Sequence, residues 1–319
     1  MVAVHLHRPC TSRRNRGGPR WRAPGLSHPR SLACSRRRGS AVVQSLLGRD
    51  MILDVHHVGI AVRSLEAACA FYRDALGLPV VKEDVGATQG SCAALVAVGG
   101  SYLELMEPRE EASPLARFIA ERGEGLHHLA LWSDDVDSEV EALRGMGAPV
   151  LEPEPLEGFA GRLASLAPEA FDGVLLQIVQ PSPGLEGGPA SDGPLKRIDH
   201  VVLHLPDVEG ACRRFQDYFG VATKRTMERG ARRFAFLRPG DVILELIGPP
   251  EDGEPGSGRV AGLAFEVQGI DGLVASLKRR GLPVGEPHPA IQGGRIVSVH
   301  VSGTCGVPVA FIDFSDSPC

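Results

Sequence analysis

A chain of 319 residues is too long for one small core and comfortable for two domains of ordinary size. With 43% hydrophobic and 23% charged residues and no apolar run long enough to cross a bilayer, the composition is that of a globular protein with no membrane partner. The net charge of −5 is unevenly placed: residues 1–49 hold eleven arginines and no acid, which leaves −16 for the rest, and an acidic folded part excludes nucleic acid as an expected partner.

Residues 1–50 contain "RRNRGGPRWRAPG" and show neither helical nor strand periodicity, so they are expected to form a disordered Arg-rich extension outside the fold. Met51 stands directly before the first strand and reads as the working start. The seven cysteines are scattered, with no CxxC pair, and read as reduced thiols of a cytoplasmic protein; a mitochondrial location follows instead if the basic head is a targeting segment.

From Met51 onward the chain reads strand, helix, then three strands, four times over. "SLEAACAFYRDALGLPV" has helical spacing, a Ser64 cap and a Gly77 stop. "DVDSEVEALRGMGAPV" repeats the plan with Asp135 as cap, and "DVEGACRRFQDYFGV" and "GIDGLVASLKRRGLPV" are the third and fourth copies. The "LxxxGxPV" ending at Leu143 to Val150 recurs at Leu277 to Val284. Such self-similarity predicts an α+β protein of tandem βαβββ modules, paired into two domains with curved mixed sheets at 51–181 and 197–319. Residues 182–196, rich in Gly and Pro, are the expected flexible linker.

Two histidine doublets interrupt the strands, "DVHHVGIAV" at 54–62 and "GLHHLALWS" at 125–133. His57 is followed 47 residues later by Glu104 in "LELMEP", and His128 is followed 49 residues later by Gln177 in "VLLQIVQ". Four polar side chains at equivalent points of two symmetric units can converge inside a curved sheet, where burial without compensation would cost several kcal/mol each. A divalent metal is the natural compensation, and cobalt, zinc, manganese, nickel and iron all suit the set. Strand side chains alternate in direction, so His56 and His127 should point the other way and are given no role.

The second half keeps His200 in "IDHVVLHL" and Glu245 in "VILELIGP", 45 residues apart. Its last unit places Gly262 where a histidine would stand and Ala310 opposite Gln177; Arg162 precedes Gln177 by 15 residues and Arg295 precedes Ala310 by the same 15. The ligands are lost in place, and His200 and Glu245 are expected to hydrogen-bond each other while the second half shapes the pocket or an interface.

The repeated units, "FYRDALGLPVV", "SPLARFIAERGEGLHHLALWSDDVD" and "FDGVLLQIVQ" together resemble the vicinal oxygen chelate superfamily, most closely its methylmalonyl-CoA epimerase branch, with the glyoxalase I type more distant. The resemblance covers residues 52–181 and, over 197–314, implies the fold only. It implies a divalent metal held by His57, Glu104, His128 and Gln177, and a metal-dependent isomerase or lyase that moves an α-proton through a stabilised enolate. The expected partner is a small-molecule substrate such as an acyl-CoA, and a homodimer is compatible with the family. The resemblance places Gln177 where the branch has a glutamate that binds metal and serves as base; a glutamine oxygen can coordinate but cannot take a proton. A second base of the branch follows an "EQG" or "EHG" turn, and after "TQG" at Thr88 to Gly90 the matching position falls near Ala93. Two alternatives stand beside the isomerase. One is a metal- or small-molecule-binding relative without turnover. The other is an iron dioxygenase using the two histidines and one carboxylate, although the four-unit dioxygenases of the superfamily keep their metal in the C-terminal pair.

Overall fold

Each half opens on a run of β-branched and small residues that becomes the centre of its sheet. In the computed structural model, which describes residues 52–88, 90–249, 258–290 and 292–315, the first of these is β1 (Asp54–Ala61). The extension at 1–50 lies outside the described residues. Ser64 then caps α1 (Leu65–Cys69) by accepting from Ala67 N at 3.2 Å, and the helix continues as a π-helical turn, Ala70–Ala75, before Gly77 stops it at φ +74°.

The strands β2 (Val80–Thr88), β3 (Ser91–Val98) and β4 (Ser101–Pro108) form a meander whose last member lies parallel to β1. A helix outside the strand-helix-strand plan, α2 (Pro114–Arg122), joins the first unit to the second. Ser113 caps it at Ala116 N (3.1 Å), and Pro114 occupies the first turn, where its missing N–H has no partner to lose. The second unit contains β5 (Gly125–Trp132), α3 (Val136–Gly145) capped by Asp135, β6 (Leu156–Glu157), β7 (Gly161–Leu166) and β8 (Leu175–Pro181).

The second half repeats the order with β9 (Leu195–His204), α4 (Val208–Phe219), β10 (Thr223–Arg229), β11 (Arg232–Leu237) and β12 (Ile243–Gly248). Then come β13 (Arg259–Val267), α5 (Ile270–Arg279), β14 (His288–Pro289), β15 (Arg295–Val299) and β16 (Val309–Asp313). The two eight-stranded sheets have the same order, β2-β3-β4-β1-β5-β8-β7-β6 and β10-β11-β12-β9-β13-β16-β15-β14. The protein is therefore α+β, with tandem βαβββ modules in two curved mixed sheets.

One core runs through both halves, from Ile52 to Phe311. At its middle Phe171 packs on Phe215 and Phe219, with ring centroids 4.8 and 6.1 Å apart, and Asp172 accepts from Arg214 at 2.5 Å. A second cluster, including Leu95, Tyr102, Phe159 and Leu163, covers the face that carries Glu104. Gly269 at the start of α5 has no capping side chain; Asp313 of β16 accepts instead from Gly269 N (2.8 Å) and Ile270 N (2.9 Å).

The segment expected to be a flexible linker lies on the first sheet. Ser182 N donates to Ala160 O (3.0 Å), Gly100 N donates to Gly188 O (3.1 Å), and β9 begins already at Leu195. Its glycines permit this contact, because a Cβ on Gly188 would sit 2.7 Å from Ser101 O. Among the described residues Cys69, Cys92, Cys212 and Cys305 form no disulfide, and no helix is long and apolar enough to cross a membrane.

Candidate metal centre

The position of β1 between β4 and β5 brings the site together. Gly59 lies opposite Glu104 on one side and His128 on the other, with His57 two residues earlier on the same strand. His57 Nε2 is 3.1 Å from His128 Nε2, and Glu104 Oε2 is 3.3 Å from the first and 3.4 Å from the second. All three residues are buried. Among the described residues they are the only set of three His, Cys, Asp or Glu side chains whose ligand atoms converge within 4.8 Å.

The triangle has the dimensions of a metal's coordination face. Ligands about 2.1 Å from an ion lie about 3.0 Å apart at right angles and about 3.4 Å apart at the tetrahedral angle. Burial alone would raise the Glu104 carboxyl, but hydrogen bonds and charge from His128 and His57 outweigh it and hold the group well below the ordinary carboxylate range. Burial and the neighbouring His57 push His128 down. A buried carboxylate and two imidazoles converging on one point are a donor set that suits a divalent ion.

Gln177 pairs with Ala130 of β5 and lines a cavity of about 210 Å³ together with Glu104, His127 and His128. The remaining wall includes Ala93, Phe159 and Leu163, and among the described residues no second carboxylate lines it.

His56 and His127 do not turn away from the site as strand alternation predicts. The ladder between β1 and β5 slips at Val55/His57 and again at Gly59/Ile60, so His56 and His127 are the extra residues of two β-bulges, one on each strand. Each bulge swings the extra imidazole toward its neighbour: His56 Nδ1 is 2.8 Å from His57 Nδ1, and His127 Nδ1 is 3.0 Å from His128 Nδ1.

The hydrogen-bond pattern around His56 has one consistent proton arrangement. Leu185 O can only accept, so His56 Nε2 carries the proton donated to it at 2.8 Å. Burial pushes His56 down to about 3, which keeps it neutral with a bare Nδ1. His57 must then donate from Nδ1, which fixes the ring with its Nε2 facing Glu104 and His128. Burial likewise pushes His127 down to about 3, and Phe118 packs edge-on against its ring at 4.8 Å.

Gly59 is a further residue the strand pattern did not mark as functional. A Cβ there would fall 2.1 Å from His128 Cε1 and 2.2 Å from Nδ1, so the imidazole lies across bare backbone. The signal was present in "HVGIAV", where a glycine interrupts a β-branched run at a close approach.

The second sheet has the inverse arrangement. Val202 stands at the place of Gly59, opposite Gly262, and Ala264 pairs with both His200 and Ala310. The strand registers therefore put Gly262 and Ala310 at the positions of His128 and Gln177. His200 Nε2 and Glu245 Oε2 are 3.6 Å apart, beyond hydrogen-bond reach, and His200 Nδ1 is bound instead to Asp199 Oδ2 at 2.8 Å.

Comparison with known proteins gives matches over both halves. The pattern of the Glyoxalase/Bleomycin resistance protein/Dioxygenase superfamily matches residues 56–165 and again 199–298. The chain is 34% identical over 133 residues to the ethylmalonyl-CoA/methylmalonyl-CoA epimerase of Cereibacter sphaeroides, 41% of this chain and 99% of that protein. It is 32% identical over 126 residues to the uncharacterized protein YqjC of Bacillus subtilis, 39% of this chain and 90% of that protein. A 4-hydroxymandelate synthase mutant from Streptomyces coelicolor shares the fold at a TM-score of 0.63 and 19% identity, covering 84% of this chain and 94% of its own.

Proposed function

Because the chain belongs to the glyoxalase/bleomycin resistance protein/dioxygenase superfamily, we propose that its first half is a divalent-metal-dependent isomerase or lyase acting on a carboxylate-bearing thioester of the methylmalonyl-CoA kind. The observation that carries this reading is the buried triangle of His57, Glu104 and His128. The epimerase relative supports the substrate class. His57 Nε2, His128 Nε2 and Glu104 Oε2 would hold the ion, and the Gln177 side-chain oxygen would complete the protein's share of its shell. When bound, the ion stabilises negative charge on a substrate oxygen as the α-proton leaves.

This chain's own residues set the rest of the chemistry. The cavity of about 210 Å³ admits an acyl head group and not a whole coenzyme. His127 also lines a neighbouring cavity of about 220 Å³ flanked by Arg122 and by Arg259 of β13, and two guanidinium groups suit the phosphates of a CoA tail. Gln177 cannot remove a proton, and among the described residues the wall around it offers no carboxylate besides the ligand Glu104. That single substitution favours a second reading, a metal-dependent thioester-binding protein without turnover.

Exchange of the α-proton of methylmalonyl-CoA with deuterated solvent separates the two. In an isomerase lacking one base, Gln177→Glu should raise exchange by roughly 10²- to 10⁴-fold. Rapid exchange by the wild type would assign the proton transfer to another group. If neither form exchanges while both bind metal and acyl-CoA, the binding reading holds and the isomerase reading fails.

A further inference from the structure

The second sheet carries a cavity of about 830 Å³, about four times that of the candidate metal centre and within the usual range of small-molecule pockets. Its existence follows from the positions already compared. Gly262 and Ala310, which stand where the first half has His128 and Gln177, both line it, so two long polar side chains have been replaced by almost nothing. Val202 and Val299 make much of the remaining wall apolar, and Val301, 39% exposed, stands at the mouth.

One buried polar group faces this space. His200 lines the cavity with only 9% of its surface exposed. Asp199 is paired with Arg197 at 3.3 Å and accepts from His200 Nδ1 at 2.8 Å, so Nε2 is the ring nitrogen left for a ligand. Glu245 Oε2, at 3.6 Å, is too far to satisfy it. The other imidazole on the wall, His300, is exposed, and among the described residues no carboxylate lines the cavity, so it is a poor metal site that offers His200 as one buried hydrogen-bonding anchor.

We propose that the second half binds, without metal, a small and largely apolar organic molecule bearing a hydroxyl group, its body against Val202, Gly262, Val299 and Ala310 and its hydroxyl hydrogen-bonded to His200 Nε2. This site is independent of the chemistry assigned to the first half.

The test uses the full chain and two probes of nearly equal size, 2-naphthol and 2-methoxynaphthalene, titrated calorimetrically. Saturable 1:1 binding of the naphthol, with the methyl ether about tenfold weaker for want of one hydrogen bond, is the expected result. His200→Phe should bring the naphthol down to the level of the ether, and Val301→Trp at the exposed mouth should weaken both probes. His57→Ala should leave both unchanged. Absence of saturable naphthol binding, or equal affinity for the two probes in the wild type, overturns the proposal without recourse to a variant. Binding lost in His57→Ala and kept in Val301→Trp also overturns it, because the probe would then occupy the first half.

Discussion

Adding one methyl group at Gly59 should empty the candidate metal centre. The Cβ of Gly59→Ala would lie 2.1, 2.2 and 2.7 Å from Cε1, Nδ1 and Nε2 of His128. Carbon contacts settle near 3.5 Å, so the ring has to retreat by about 1.4 Å, far beyond the roughly 0.2 Å a coordination distance tolerates. Gly59 is in an ordinary strand conformation, so alanine is accepted by the backbone and the fold should survive. Loss of a supporting group outside the coordination shell costs 10- to 100-fold in metal affinity, so loss of a ligand should cost at least about 100-fold, or ~2.7 kcal/mol. Titration of Co²⁺ or Zn²⁺ against a chelating dye measures this, with far-ultraviolet circular dichroism to show that the strands are intact. Val202→Ala, the same position in the second sheet, should leave the affinity unchanged. A folded Gly59→Ala protein that binds metal within about threefold of wild type would refute the placement of His128.

Three further changes read out separate parts of the structure. His56→Phe keeps a ring beside His57 but removes the acceptor for its Nδ1 proton; metal affinity should fall by about 10- to 100-fold and ¹⁵N shifts of His57 should show mixed tautomers, whereas unchanged shifts would sink the relay. Asp313→Ala removes the acceptor for Gly269 N and Ile270 N and should cost about 1–2 kcal/mol in urea unfolding at neutral pH. Burial works against the Asp313 carboxylate, but hydrogen bonds from Ser315, Ile270 and Gly269 hold it below its ordinary value. Its stabilisation is therefore complete above the unfolded-state pKa and disappears as pH falls through the lower folded one, so the gap to wild type should close in acid. Arg259→Glu should weaken acyl-CoA binding and leave metal affinity intact; equal loss of both would contradict a role confined to the coenzyme tail.

His57, Glu104 and His128 were legible because nearly the same spacing, 47 and 49 residues, recurs in two units, and a recurring spacing survives ignorance of how the strands pair. His56 and His127 were not, because the alternation rule assumes an unbroken ladder. A bulge is a property of two strands at once, and neither "VHHV" nor "LHHL" reveals that its partner is one residue short. Helix α2 was legible in principle from Ser113 and Pro114 but fell outside the repeating plan that organised the reading. The packing of residues 182–188 on the first sheet was hidden for a different reason. Glycine and proline mark a chain that lacks regular structure, and they mark equally a chain that lies flat on someone else's backbone.

The unbroken core from Ile52 to Phe311 makes the two halves thermodynamic partners, whatever their separate chemistry. Phe171 of the first half is sealed by Phe215 and Phe219 of the second, so neither can open without exposing aromatic surface of the other. Any ion that occupies the first half at 100 times its dissociation constant adds about 2.7 kcal/mol to the whole assembly. A ligand in the second half adds its own increment to the same total. With Gly262 and Ala310 at the positions of His128 and Gln177, the second half lacks that donor set and still serves the first as a folding partner.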